Sequence, residues 1–192
     1  MPKGELNLRV IAGDKKGRRL ITPEGLDTRP TGDKVKEALF SIIQFELEGA
    51  SFLDLFAGSG QMGIEALSRG ADRAVFVDNG KRAIECIRAN IKALSLDSKS
   101  EIRQLDAQSF ISSCSEKFDI IFLDPPYKEG YISALFASLT YLVNDSGAII
   151  CEVPRGLELS EQVNGFYLKK RYRYGKTELV VYRKKDSETE IY

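Results

Sequence analysis

The chain contains no histidine. That absence removes imidazole acid–base catalysis and the commonest metal ligand together. Its three cysteines, Cys86, Cys114 and Cys151, lie far apart and form no Cys-x-x-Cys pair. Neither a zinc knuckle nor a disulfide framework is indicated, and all three are expected to be reduced thiols at core-facing positions. No apolar run approaches the ~20 residues of a membrane span, and the N-terminal segment lacks the apolar core of a signal peptide. A soluble, cytoplasmic protein is therefore expected. Internal repeats and low-complexity tracts are also missing. Net charge is formally zero, but the charge is partitioned. Residues 1–23 hold six Lys/Arg against two acids, and residues 168–185 hold eight against one. Two basic segments flanking an acidic body suit contacts to a phosphate backbone, the plain alternative being solvated faces.

A length of 192 residues with 43% hydrophobic content allows one large domain, or one with a small appendage. The chain is organised around residues 52–63, Phe-Leu-Asp-Leu-Phe-Ala-Gly-Ser-Gly-Gln-Met-Gly. A short apolar run reads as a buried parallel strand, and Gly58, Gly60 and Gly63 follow in the spacing G-x-G-x-x-G. Glycine tolerates positive φ and carries no Cβ, so a ligand can approach the backbone closely. Asp78, at the end of the next apolar run, lies near the ~20-residue offset of a ribose-binding carboxylate. Two features argue against a dinucleotide. Asp54 sits where a pyrophosphate would be repelled, and Asp124-Pro125-Pro126-Tyr127 has no obvious use in a dehydrogenase. S-adenosylmethionine (SAM), with an ammonium, a sulfonium and no phosphate, suits both.

Residues 7–22 read as a β-hairpin with a polar turn at 13–17, carrying Lys15, Lys16, Arg18 and Arg19 as an RNA-gripping edge. Thr31 is placed to cap a helix running to about Phe45, with Val35, Ala38, Leu39, Ile42 and Ile43 on one face. Strands are then expected at 51–56, 73–77, 101–105, 118–123 and 147–153. Helices are expected at 61–69, 80–93, from Ala107 to about Cys114, at 130–143 and around 157–163. Strands near 166–173 and 177–184 close the chain. This alternation implies an α/β fold with a mostly parallel sheet and an antiparallel C-terminal hairpin. The domain reading is a basic hairpin appendage at 1–27, a catalytic domain at 28–185 and an acidic, frayed tail at 186–192. Right-handed crossovers bring strand ends to one rim, so Asp54, Asp78, Asp106 and Asp124 should converge there. Any one of them alone could be an ordinary helix cap.

Two prolines after Asp124 stiffen the loop and remove two N–H donors. The Asp124 carboxylate and the Pro125 carbonyl can each accept a hydrogen from an exocyclic NH₂, while Tyr127 offers a face for a flat base. Such a nitrogen is a poor nucleophile, so catalysis would rest on positioning and on stabilising developing positive charge.

With these residues in view, the sequence resembles the RsmD family, the bacterial 16S ribosomal RNA (guanine(966)-N(2))-methyltransferases. The likeness runs over about residues 8–184. It includes Arg9-Val10-Ile11-Ala12-Gly13 with Gly17-Arg18-Arg19-Leu20, and Thr28-Arg29-Pro30-Thr31 leading into Val35-Lys36-Glu37-Ala38-Leu39-Phe40. It continues through the segment from Asp54 to Gly60, then Gly63 to Ala71, and ends with Asp124 to Tyr127. The glycine and Asp-Pro-Pro-Tyr motifs alone specify an amino-methyltransferase, and the hairpin and Thr-Arg-Pro-Thr segment narrow it. The resemblance implies a Rossmann-like class I SAM-dependent methyltransferase with a seven-stranded sheet. It implies that Asp54, Gly58 and Gly60 line the methionine part of SAM, Asp78 holds the ribose and Asp106 the adenine amine. Phe56, Ala57, Ser59, Asn79, Ala107, Arg29 and Thr31 would complete the cofactor set, and Asp124 to Tyr127 would take the guanine. S-adenosylhomocysteine (SAH) would be the product, with no metal involved. A monomer acting on 16S rRNA, the 30S subunit or its assembly intermediate is implied. Gln61-Met62 and Asn79-Gly80 depart from the family pattern. Other NH₂ acceptors (DNA adenine N6, another RNA site, a protein glutamine) fit the same shelf, and a non-catalytic RNA-binding assembly factor is the reading from another class.

Overall fold

A computed structural model describes residues 8–22, 32–126 and 130–185. Its helices are α1 (Asp33–Ile42), α2 (Gln61–Ser68), α3 (Lys81–Leu94), α4 (Ala107–Ser113) and α5 (Tyr131–Leu139). The strands are β1 (Ser51–Leu55), β2 (Arg73–Asp78), β3 (Ser100–Gln104), β4 (Phe118–Leu123), β5 (Val143–Pro154), β6 (Gln162–Val163), β7 (Phe166–Tyr174) and β8 (Thr177–Lys184). They form one sheet in the order β3-β2-β1-β4-β5-β8-β7-β6. Pairings among β1 to β5 are parallel, and those through β8, β7 and β6 are antiparallel. The expected α/β class, parallel sheet and C-terminal hairpin are present. The two-residue β6 adds an eighth strand at the edge.

Side chains of period two divide the core into two layers. Phe52, Phe76, Ile120, Phe122 and Ile150 face α1, α2 and α3. Leu53, Leu55, Val75, Ile121, Leu123 and Ile149 face α4 and α5. The central strands β1, β2 and β4 are mostly apolar because both faces are covered. Helix α3 earns its place by the stripe Ala83, Ile84, Ile87 and Ile91, all buried. Gly63 sets how close α2 lies to β2, since a Cβ there would come within 2.3 Å of the Phe76 ring.

Four expected boundaries change. Helix α1 starts after Gly32, which makes no side-chain cap bond, and ends at Ile42. The chain turns there so that Leu47 is buried while Phe45 stays 92% exposed. Helix α5 stops at Leu139 because Thr140 and Asn164 both satisfy the Ala137 carbonyl, at 2.8 Å each. Strand β5 consequently begins at Val143, earlier than expected. The helix expected around 157–163 is absent. Leu157 and Leu159 alternate onto the second core layer, the Tyr182 hydroxyl donates to the Ser160 carbonyl at 2.6 Å, and the segment ends as β6. An edge strand uses that alternating pattern, and a helix would not. The expected cap Thr31, with Arg29 and Tyr127, lies outside the described residues. No described helix is long and apolar enough to cross a membrane.

The N-terminal hairpin is held by one antiparallel bridge, Arg9 to Arg19, flanked by main-chain bonds between Leu8 and Leu20 and between Val10 and Arg18. Leu8, Val10 and Leu20 are buried in the same core layer as α1, α2 and α3. Two strands this short have little stability alone, so docking supplies it.

Candidate active site

In an open parallel sheet, ligands bind at the carboxyl ends of the strands where strand order reverses. Here that switch point lies between β1 and β4, the neighbours at the centre of the sheet. The β1 end carries Asp54, Phe56 and the glycine turn, and the β4 end runs straight into Asp124 and Pro125-Pro126.

Three side chains pin the glycine turn from behind. The Gly63 amide donates to Asp54 Oδ2 at 2.9 Å, and the Gly58 amide donates to Asp78 Oδ2 at 2.9 Å. The Ser59 carbonyl accepts from Asn90 Nδ2 at 3.0 Å. Gly58 and Gly60 both have positive φ, +55° and +77°. A Cβ on Gly58 would meet nothing within 4 Å, so the turn presents open backbone on its free side. Phe56 also has positive φ, 75°. For a bulky residue this is a costly conformation, of the kind kept at functional sites. It turns the Phe56 ring onto Tyr131 of α5, edge to face at 6.2 Å. Ala57 is buried, its amide bonded to the Val77 carbonyl at 2.9 Å.

Asp54 is 1% exposed and sits close to two more carboxylates. Burial, with the charges of Asp78 and Asp124, outweighs the Gly63 bond and pushes its carboxyl up to about 8. A cationic ligand would relieve that crowding. This donor set, an open glycine cradle beside three acids, fits a group bearing an ammonium and a sulfonium.

The remaining predicted residues divide. Asp78 caps the next turn as well, its Oδ1 accepting from the Gly80 amide at 2.8 Å. Asp106 is the N-cap of α4, with both carboxylate oxygens engaged by Ser109, and the Ser109 hydroxyl and amide hold its pKa low. Asp106 therefore serves as a helix cap. Its charge still reaches the rim, because it adds to burial in raising the Tyr131 pKa. Ala107 is buried in the second core layer, and Asn79 is exposed. Of the shelf, Asp124 is half-buried, Pro125 buried and Pro126 exposed. A cavity of about 430 Å³ opens elsewhere, lined by Glu46, Glu48, Asp119 and Arg183 among others. None of the rim carboxylates lines it, so volume alone does not mark the site.

The basic hairpin lies along α2 and α3. Its tip rests on the C-terminal end of α2, where the Lys15 amide donates to Ser68 Oγ and the Asp14 amide to the Ser68 carbonyl. Its middle is held by Glu65, which accepts from the Ile11 and Ala12 amides and pairs with Arg69 and the buried Lys36. Lys36 Nζ in turn donates to the Arg9 carbonyl at 2.7 Å. Among the described residues Lys15, Lys16 and Arg19 form no ion pair, and Arg18 reaches only the Ala93 carbonyl. Sequence reasoning missed Glu65, Ser68 and Asn90. The signal for the first two was present in α2, where Gln61, Glu65 and Ser68 form a polar stripe at helical spacing on a helix that is buried all round.

The family model described as Conserved hypothetical protein 95 matches residues 8–183. The chain belongs to this family, the RsmD family. YlbH of Bacillus subtilis (strain 168), described as a candidate rRNA methyltransferase, is 40% identical over 93% of this chain and 100% of its own length. Ribosomal RNA small subunit methyltransferase D of Escherichia coli (strain K12) is 33% identical over 84% of this chain and 79% of its own. Among solved structures, the Escherichia coli protein yhhF, described as a candidate methyltransferase, aligns with a TM-score of 0.84. It is 29% identical, over 93% of this chain and 98% of that one. The family membership and the Rossmann-like methyltransferase fold agree with the expectations drawn from the motifs.

Proposed function

We propose that this RsmD-family protein is a SAM-dependent methyltransferase of small-subunit ribosomal RNA, acting on the exocyclic N2 of one guanine, the position numbered 966. The observation that carries the reading is the juxtaposition at the switch point. The glycine turn of β1 and the Asp124-Pro125-Pro126 corner of β4 sit side by side, close enough for Asp124 to perturb Asp54. The rRNA methyltransferase relatives support the substrate class.

In this reading Asp54, Gly58, Ser59, Gly60 and Asp78 hold SAM, with Phe56, Ala57, Asn79, Asp106, Ala107, Arg29 and Thr31 around them. When bound, SAM supplies a methyl group on a sulfonium. Asp124 and the Pro125 carbonyl accept the two hydrogens of the guanine amine, which aims the nitrogen lone pair along the transfer axis. Asp124 also stabilises the positive charge that grows on that nitrogen and takes the proton afterwards. Tyr127 stacks on the base, and Pro125-Pro126 keeps the acceptors from moving. No imidazole is required. Lys15, Lys16, Arg18 and Arg19 bind phosphates away from the reacting base.

Labelled SAM should transfer its methyl group to 16S rRNA or the 30S subunit, with N2-methylguanine at one site as product. Label found on an adenine or a protein amide would replace this acceptor with another while leaving the enzyme class. SAM binding without transfer to any acceptor would favour an assembly factor.

A further inference from the structure

We infer that Asn90 is a positioning residue that couples the N-terminal hairpin to the glycine turn, so that a ligand ordering one of them orders the other. Asn90 lies on α3, 3% exposed, and every polar hydrogen of its carboxamide is used. Its Oδ1 accepts from the Ile21 amide at 2.9 Å, and Nδ2 donates to the Ile21 carbonyl and to the Ser59 carbonyl, each at 3.0 Å. One planar group thus completes both main-chain bonds of Ile21, as a neighbouring strand would, and with its last hydrogen grips the turn between Gly58 and Gly60. The assignment of nitrogen and oxygen follows from the partners, because the flipped amide would face two carbonyls with an oxygen. Cys86 Sγ supports the same clamp by donating to the Ile21 carbonyl at 3.1 Å.

Asp54 and Asp78 pin the turn too, yet neither has a recorded bond to the hairpin. Glu65 and Ser68 hold the hairpin, yet neither has a recorded bond to the turn. Asn90 does both. An aspartate at 90 would set a negative oxygen against two carbonyls, and an alanine would take away the side-chain partner of the Ile21 amide and of the Ser59 carbonyl, leaving the Ile21 carbonyl to Cys86. Fixing the Ser59 carbonyl by a ligand on the turn therefore fixes Asn90, and through it Ile21. The converse follows from linkage: a phosphate backbone gripping the hairpin favours the turn conformation that receives the cofactor.

The inference rests on the cofactor reading above for the identity of the ligand on the turn. Its test uses hydrogen exchange on the full chain, with and without saturating SAH. Exchange of the Ile21 amide should slow about fivefold or more when SAH is added. Asn90→Asp and Asn90→Ala should remove that slowing while calorimetry still detects SAH, and the alanine variant decides if the aspartate variant fails to fold. Ser68→Ala, which removes the bonds to the Lys15 amide and the Ala12 carbonyl, should raise exchange at Lys15 and keep the SAH response at Ile21. An Ile21 amide indifferent to SAH bound on the unaltered chain overturns the coupling alone. So does a response preserved in an Asn90 variant. Failure of SAH to bind the unaltered chain overturns the cofactor reading and this inference with it.

Discussion

Two buried carboxylates on the same sheet meet opposite fates. Glu178 on β8 is 2% exposed and Asp54 on β1 is 1% exposed. Although burial opposes it, Arg171 and then Arg173 of the adjacent β7 hold the Glu178 pKa low, with Arg171 Nη1 at 3.0 Å and Arg173 Nε at 3.2 Å. Burial first, and then the charges of Asp78 and Asp124, raise the Asp54 pKa to about 8. At the C-terminal edge two arginines face the buried acid, whereas at the rim two further acids act on Asp54. A buried acid with arginine partners is structural. A buried acid among other acids is poised for a ligand that brings the counter-charge.

The same contrast separates the two basic segments, which look equivalent in sequence. At the C-terminal edge Arg171 and Arg173 belong to Glu178, Arg183 to Glu46, and Lys184 to Asp145. Lys170 lies over the Tyr172 ring at 4.9 Å. In the hairpin, Lys15, Lys16 and Arg19 make no ion pair with any described residue. The hairpin accordingly presents these three cations to a phosphate backbone, while Arg171, Arg173, Arg183 and Lys184 are engaged by acids.

The largest expected effect tests the acidic rim. Asp124→Ala should lower methyl transfer by about a thousandfold or more while changing SAM affinity only a few-fold. Full activity of that variant in the labelled-SAM assay would sink the catalytic assignment.

The next is a pH effect with a sign opposite to that of ordinary acids. Folded Asp54 keeps its proton up to about pH 8, while the unfolded chain releases it near 3.8. Between those values the folded state holds more protons, so stability must fall as pH rises, and level off above pH 8. Without ligand, urea denaturation should lose roughly 3 kcal/mol between pH 5 and 8, and Asp54→Asn should flatten the slope. Binding of SAM near pH 7 should release a proton, seen as a buffer-dependent heat in calorimetry.

At the paired edge, Glu178→Ala removes the acid shared by two guanidinium groups, leaving Arg171 the Leu157 carbonyl. It should cost about 2 kcal/mol in urea denaturation at pH 7, less than a fully buried pair because Arg173 is largely exposed. The smallest stability effect belongs to the hairpin. Lys15→Gln with Lys16→Gln should change stability by less than about 0.5 kcal/mol. RNA affinity should nevertheless fall about tenfold, and the slope of log affinity against log salt should shrink by ~1.8. Equal RNA losses from neutralising Arg183 and Lys184 would erase the distinction between the two segments.

Much of the fold was legible because its signals are local. Apolar runs such as Phe118–Leu123 and the stripe of α3 declare themselves within a few residues, and Gly58, Gly60 and Gly63 announce the turn. Errors fell where distant partners decide. Asn164 ends α5 from 24 residues away through Thr140, and Tyr182 holds Ser160 in an extended segment from 22 residues away. Asp106 shows both sides, since its place at a strand end was legible in the sequence while its bonds to Ser109 appear only in the structure.

By itself, the sequence determined the class of fold, the order of its elements, the glycine turn and the place of Asp124-Pro125-Pro126 after β4, all of which follow from spacing along the chain. Tertiary structure alone decided which charges are cancelled and which stay available, and that Asn90, 31 residues from Ser59 and 69 from Ile21, holds both. Hydrogen bonds and ion pairs act over a few ångströms of space, and separation along the chain says nothing about which groups folding will bring within that reach.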